Sequence, residues 1–249
     1  MTGVLAILKR ELRSLWVSPL AWVLLCSFLL LQGGIFYSIT LHFSRMEQAS
    51  AQSGPLNAYF GQQSLLMSFT LLLLCPSLTM RSLAEERRSG SIDLLLSAPI
   101  TSGAIVVGKF LAIFVTYCLI WSPTVLYALL LRDTGSVHTP TLIVSYLGVA
   151  LLGASYLSIG VLMSALAKSQ LIALLLTTSS LFGLFVLAIG EYIFDAGILR
   201  DLSAYLSITH LLEETAKGIV DSRRLVLHGS ITLWCLFVST RLVESWRSP

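Results

Sequence analysis

Long apolar runs almost free of charge decide what this chain can become. Stretches near 20–41, 59–80, 107–131, 141–166, 171–190 and 225–243 are each about the length a helix needs to cross a bilayer core of roughly 30 Å. Charged residues make up only 12% of the 249 residues. A soluble domain carries roughly 25%. The fold expected is therefore all-α and integral to the membrane, with six transmembrane helices. The net charge of +3 is small, and the basic residues are not interleaved with exposed aromatics, which argues against nucleic acid as a partner. Cys26, Cys75, Cys118 and Cys235 each fall inside an apolar run without CxxC spacing, so they read as small hydrophobes rather than disulfide or metal residues.

Residues 3–16, GVLAILKRELRSLW, place Val4, Leu5, Leu8, Leu12 and Leu15 at helical spacing, with Lys9, Arg10 and Arg13 mostly on the other face. This pattern predicts an amphipathic helix lying in the membrane interface, its basic side toward anionic head groups. Ser18 and Pro19 separate it from the first span. The apolar run that follows is about 27 residues, too long for the core of a cleaved signal peptide. Pro76 and Pro123 should kink the second and third spans. In the fourth span Ala150, Ala154 and Ser158 recur at every fourth position, with Gly153, Gly160 and Ser164 nearby, a pattern that favours close helix contact in the bundle or across a dimer. The short turn 167–170 makes spans four and five a hairpin. Residues 191–228 are polar again and read as an external segment that forms short helices. The last span is expected to be the shortest, with Arg241 reaching to the interface.

Basic residues orient the chain. With the N-terminus inside, Lys9, Arg10, Arg13, Arg81, Arg87, Arg88, Lys109, Lys168, Arg241 and Arg247 lie on the cytoplasmic side, ten against six outside. Both termini are then cytoplasmic.

The polar segment from Arg81 to Lys109 stands between two long apolar runs. Glu85, Glu86, Arg87 and Arg88 form a charged helical turn, and Ser89 with Gly90 breaks it. A second short helix should start near Ser91, capped by Ser89 or Ser91 and ended by Pro99. Ile92, Leu95 and Leu96 would make an apolar ridge rimmed by charge, suited to a groove on another protein. Gly103 to Lys109 matches GxxxxGK, but Phe110 stands where Ser or Thr must ligate Mg²⁺ and no strand precedes it. Lys109 reads instead as a basic anchor, and no cofactor is expected on this chain. The histidines His42, His138, His210 and His228 are scattered over the outer connections, and His42 with Met46 makes too few ligands for a metal site. No span has a charge at its centre, so no ion relay is visible. Energy has to enter through the polar segment.

The stretch EERRSGSIDLLLSAPITSGAIVVGKF resembles the signature of ABC-2-type permeases, E-E-(R/K)-x-x-G-(T/S)-(I/L)-(E/D)-x-L-L-x-x-P-(I/V)-(T/S), followed by an apolar stretch to G-K. KRELRSLWVSPLAW resembles the family's N-terminal elbow. Residues 205–232 are similar to the gliding-motility-associated branch, although Arg224 stands where that branch has an acidic residue. The resemblance covers nearly the whole chain. It implies a permease subunit in which 3–16 is an elbow helix and 81–109 is the coupling segment. That segment would dock on two separate ATPase subunits, which bind ATP and Mg²⁺. It also implies a second permease chain, as a homodimer, and an extracytoplasmic auxiliary subunit, in the cytoplasmic (inner) membrane of a bacterium. The docking residues implied are Glu85, Glu86, Arg87, Gly90, Ser91, Ile92, Asp93, Leu95 and Leu96. An external gate or partner surface would use Tyr205, His210, Gly218, Asp221 and Arg223. Two other roles fit the same residues: a scaffold that transports nothing and passes ATP-driven motion to an envelope complex, and a permease for metalloenzyme maturation.

Overall fold

The computed structural model describes residues 2–45, 54–62, 64–92, 100–131, 139–193 and 197–246. The described residues contain no strand, and six helices among them are long and apolar enough to cross a membrane, as expected. Helix α1 spans Thr2–Val17 and α2 spans Pro19–Ser44. Between them Ser18 is extended (ψ 136°), its Oγ accepts a hydrogen bond from the Leu20 amide, and Pro19 fills the first helical position, where an N–H would be unpaired anyway. The corner is stiffened by Trp22, whose Nε1 donates to the Trp16 carbonyl at 3.0 Å while the two indoles meet edge to face.

A short helical turn at Pro55–Asn57 and a π turn at Ala58–Gln62 lead into α3, Ser64–Thr79. The short charged helix α4, Ala84–Ser89, follows. Helix α5 covers Ser102–Trp121 and α6 Val125–Leu130, and the proline between them, Pro123, sits in a 3₁₀ turn at Ser122–Thr124. Pro76, by contrast, lies within a continuous α3. Helix α7 spans Thr139–Leu166 and α8 Gln170–Ile193, a hairpin joined by a tight turn. Two short helices, α9 (Ile198–Leu206) and α10 (Ile208–Ala216), precede α11, Ser222–Ser245. At 24 residues α11 equals α8 and is not the shortest span. It starts early because the Asp221 carboxylate accepts from the Arg223 amide at 2.9 Å, so the charged residues before His228 are helical.

Helix α7 is the most buried span and packs against α3, α5, α8, α10 and α11. Lipid offers no hydrophobic drive between helices, so close packing carries the association. Glycines supply it. A Cβ on Gly153 would stand 2.3 Å from the Tyr117 ring, and one on Gly160 would stand 2.2 Å from the Thr79 hydroxyl. The Tyr117 hydroxyl donates to the Val149 carbonyl at 3.0 Å, fixing the ring in the Gly153 notch. Ser158 is fully buried on the stripe expected to pack, whereas Ala150 and Ala154 on it are half-buried; the tightest approaches are on the neighbouring glycine face. Helix α2 is the least buried, and Leu30, Leu175 and Leu233 of α2, α8 and α11 are exposed as lipid-facing residues would be.

Candidate functional site: a buried ion cluster holding the short charged helix

Helix α1 lies along α5 because Gly108 presents no side chain to it; a Cβ there would be 2.9 Å from Ile7. That approach carries Glu11 over Lys109. The Lys109 side chain is only 2% exposed, and its Nζ lies 3.0 Å from Glu11 Oε1 and 2.9 Å from Glu86 Oε1. Arg10 Nη2 reaches the same two oxygens, each at 2.6 Å. Two cations and two carboxylates from α1, α4 and α5 thus close into one cluster. A buried ammonium is costly unless paired, and here two carboxylates meet it. Burial alone would push the Glu11 carboxyl up, but Lys109 and Arg10 outweigh it and hold it below the usual carboxylate range. Burial likewise works against the Arg10 guanidinium, and Glu11 and Glu86 overcome it, raising its pKa. A depressed carboxyl stabilises the fold above its ordinary range, and that contribution is lost as pH falls through the depressed value. Lys109 is therefore an interior hub and not a snorkelling anchor.

The rest of α4 is tied down as firmly. Ser164 of α7 accepts from the Leu83 and Ala84 amides, both at 3.1 Å, satisfying two of the donors that open α4. Glu85 accepts a hydrogen bond from the side-chain Nε2 of Gln170 at the start of α8. The Arg87 guanidinium lies 4.9 Å from the ring centre of Trp246, just past α11. Gly90 ends the helix at φ 69°, a left-handed conformation that glycine adopts without cost. The Ser89 and Ser91 hydroxyls sit 2.9 Å apart and both point back toward the Glu86 carbonyl, closing α4, while Ser91 and Ile92 are themselves helical and the rest of the expected second helix, 93–99, lies outside the described residues.

Among the expected docking residues, Glu86 and Ile92 turn inward, and Glu85 and Arg87 are engaged within the chain. Arg88, Ser89 and Gly90 are exposed. Asp93, Leu95, Leu96 and Pro99 lie outside the described residues. Sequence reasoning passed over Glu11, although a single acid among Lys9, Arg10 and Arg13 was the available sign of a buried cation elsewhere.

At the opposite end of the chain's polar segments, the residues expected to form a gate are spread over α9–α11. Tyr205 donates to the Arg223 carbonyl at 3.3 Å, Asp221 caps α11, and His210 is half-buried on α10. Gly218 (φ 80°) passes close to Thr141. The residue that joins α9, α10 and α11 is Arg224, where the sequence departs from the branch pattern. Its guanidinium donates to the Ser207 carbonyl at 3.2 Å and pairs with Glu214 at 2.9 Å, linking the end of α9 to α10. Arg224→Ala should loosen this pair by about 1–3 kcal/mol. The measurement is amide exchange over 197–216, expected to quicken there and not in α7.

A family model described as ABC-2 family transporter protein matches residues 5–219, which include all four members of the ion cluster. No curated protein matches the chain.

Proposed function

Because the chain belongs to the ABC-2 transporter family, multi-pass membrane permeases that work with ABC ATPase partners, we propose that α4 and the turn after it form the element through which ATPase motion enters the membrane domain. Two separate ATPase subunits would bind ATP and Mg²⁺ and dock at Arg88, Ser89, Gly90 and the residues that follow. A second copy of the chain completes the permease, and export of an unidentified cargo, from the cytoplasmic face of a bacterial inner membrane, is the work done. Both termini then lie on the ATPase side.

One observation carries this reading: α4 is fastened at once to α1, α5, α7, α8 and Trp246. A partner shifts a membrane domain only through contacts that differ between two states. A helix so tied delivers any displacement to several spans together. The inward residues Glu86 and Ile92 serve as anchors, leaving the exposed rim to meet the ATPase. The segment 197–221 supplies the surface for an extracytoplasmic auxiliary subunit, the role its likeness to the gliding-associated branch suggests.

Gly90→Pro cannot adopt φ 69° and should misdirect the turn, while Leu95→Asp should spoil an apolar docking contact. Both proteins should insert in the membrane yet lose copurification with the ATPase and its stimulated hydrolysis. Unchanged ATPase binding in both would refute the docking role.

A further inference from the structure

A cavity of about 520 Å³ opens beside the ion cluster, between α1, α2, α3, α4 and α5. Its inner wall is apolar, with Leu24, Leu78 and Ile113. Its other wall carries three cations, Arg10, Arg81 and Lys109, and three carboxylates, Glu11, Glu85 and Glu86. Arg10 and Lys109 are already shared between Glu11 and Glu86. That leaves one charge of each sign without an opposite charge among the described residues: exposed Arg81 bonds the neutral Ser18 hydroxyl, and Glu85 bonds the neutral Gln170 amide.

We propose that this cavity binds a phospholipid with a primary ammonium head group, its phosphate at Arg81, its ammonium toward Glu85, and its acyl chains along Leu24 and Leu78. The balance of charge suits a zwitterion better than a purely anionic head. The Glu85 carboxylate is an acceptor that calls for N–H donors, which a quaternary choline lacks. The apolar wall and the mouth framed by exposed Arg10, Ser14 and Arg81 suit a ligand that enters from the membrane interface, where a free head group would gain nothing from the wall. A cavity of this size lies within the range of sites that enclose a ligand. The assignment goes beyond ATPase coupling and rests only on the chain's place in a membrane.

The test uses the purified full chain in detergent, titrated with phosphatidylethanolamine, phosphatidylcholine or soluble glycerophosphoethanolamine, with bound lipid counted by native mass spectrometry. The ethanolamine lipid should bind about tenfold more tightly than the choline lipid, the factor worth roughly one charge-assisted hydrogen bond. Glu85→Gln should bring the ethanolamine lipid down toward the choline lipid and leave the latter unchanged. Arg81→Gln should weaken both alike, and Leu24→Trp, which fills the apolar end, should weaken both without abolishing folding. Equal binding of the two lipids by the natural chain overturns the proposal. So does a Glu85→Gln protein that keeps its full preference, or glycerophosphoethanolamine competing as well as the lipid, which would make the site one for a soluble head group. Because no ATPase is present, a failure here leaves the coupling role untouched, and a failure of docking leaves this site untouched.

Discussion

Lys109→Met should lower the stability of the solubilised chain by about 3 kcal/mol, near the lower end of what removing one partner of a buried ion pair costs. The methionine fills much the same volume, so packing changes little. What changes is charge. Glu11 and Glu86 meet at the Lys109 ammonium through one oxygen each, and Lys109 is nearly inaccessible at 2% exposure. Without it two carboxylates face one another, with Arg10, half-exposed, as their remaining cation. At roughly 2–4 °C per kcal/mol for a chain of this size, the melting temperature in detergent should fall by about 6–12 °C. Adding Glu86→Gln to Lys109→Met should recover part of the loss, because removing both ends of a buried pair costs less than removing one. A single variant that melts with the natural protein would show that the cluster contributes nothing. The same variant should also cut ATPase stimulation, since α4 loses its tie to α5.

Gly160→Val should be more damaging still. Even the first added carbon would stand 2.2 Å from the Thr79 hydroxyl and 2.7 Å from its Cβ. Thr79 cannot swing aside cheaply, because it is fully buried and its hydroxyl donates to the Cys75 carbonyl at 2.9 Å. Helices α3 and α7 have to separate, and every contact along their interface loosens. Gly160→Ala should cost about 1–3 kcal/mol, the usual range for overpacking, and Gly160→Val should exceed it and leave little monodisperse protein after extraction. Thr79→Gly should restore part of the yield of Gly160→Ala. Gly183→Ala is the contrasting case: nothing lies within 4 Å of a Cβ there, and a helical alanine is favoured over glycine by about 1 kcal/mol. If Gly160→Ala behaves like Gly183→Ala, helix α7 is not packed as described.

The spans and the break at Ser18 and Pro19 were legible because the signals are local. Hydropathy over about 20 residues and a proline's missing N–H need no knowledge of the rest of the chain. The ion cluster was not legible, because its members sit at 10, 11, 86 and 109 and meet only after Gly108 lets α1 settle on α5. Lys109 at the end of a polar segment looks like any interfacial lysine until its burial is known. The small-residue face of α7 shows the same limit. A stripe at every fourth position picks out Ala150, Ala154 and Ser158, yet which face packs is decided by Tyr117 and Thr79 on other helices. Arg224 was noticed as a departure from a pattern, and its purpose appears only where the carbonyls of Ala204 and Ser207 converge on it.

Helix α4 is six residues long, and the amides at its start are satisfied by a hydroxyl that α7 lends from far along the chain. A peptide that short has no means of nucleating its own first turn in water. Excised from the protein it would be a random coil, so a synthetic copy would make a poor decoy. Under the docking role proposed above, what an ATPase would grasp is a shape that comes into being only when the transmembrane assembly is complete, and an immature permease would offer its engine no handle.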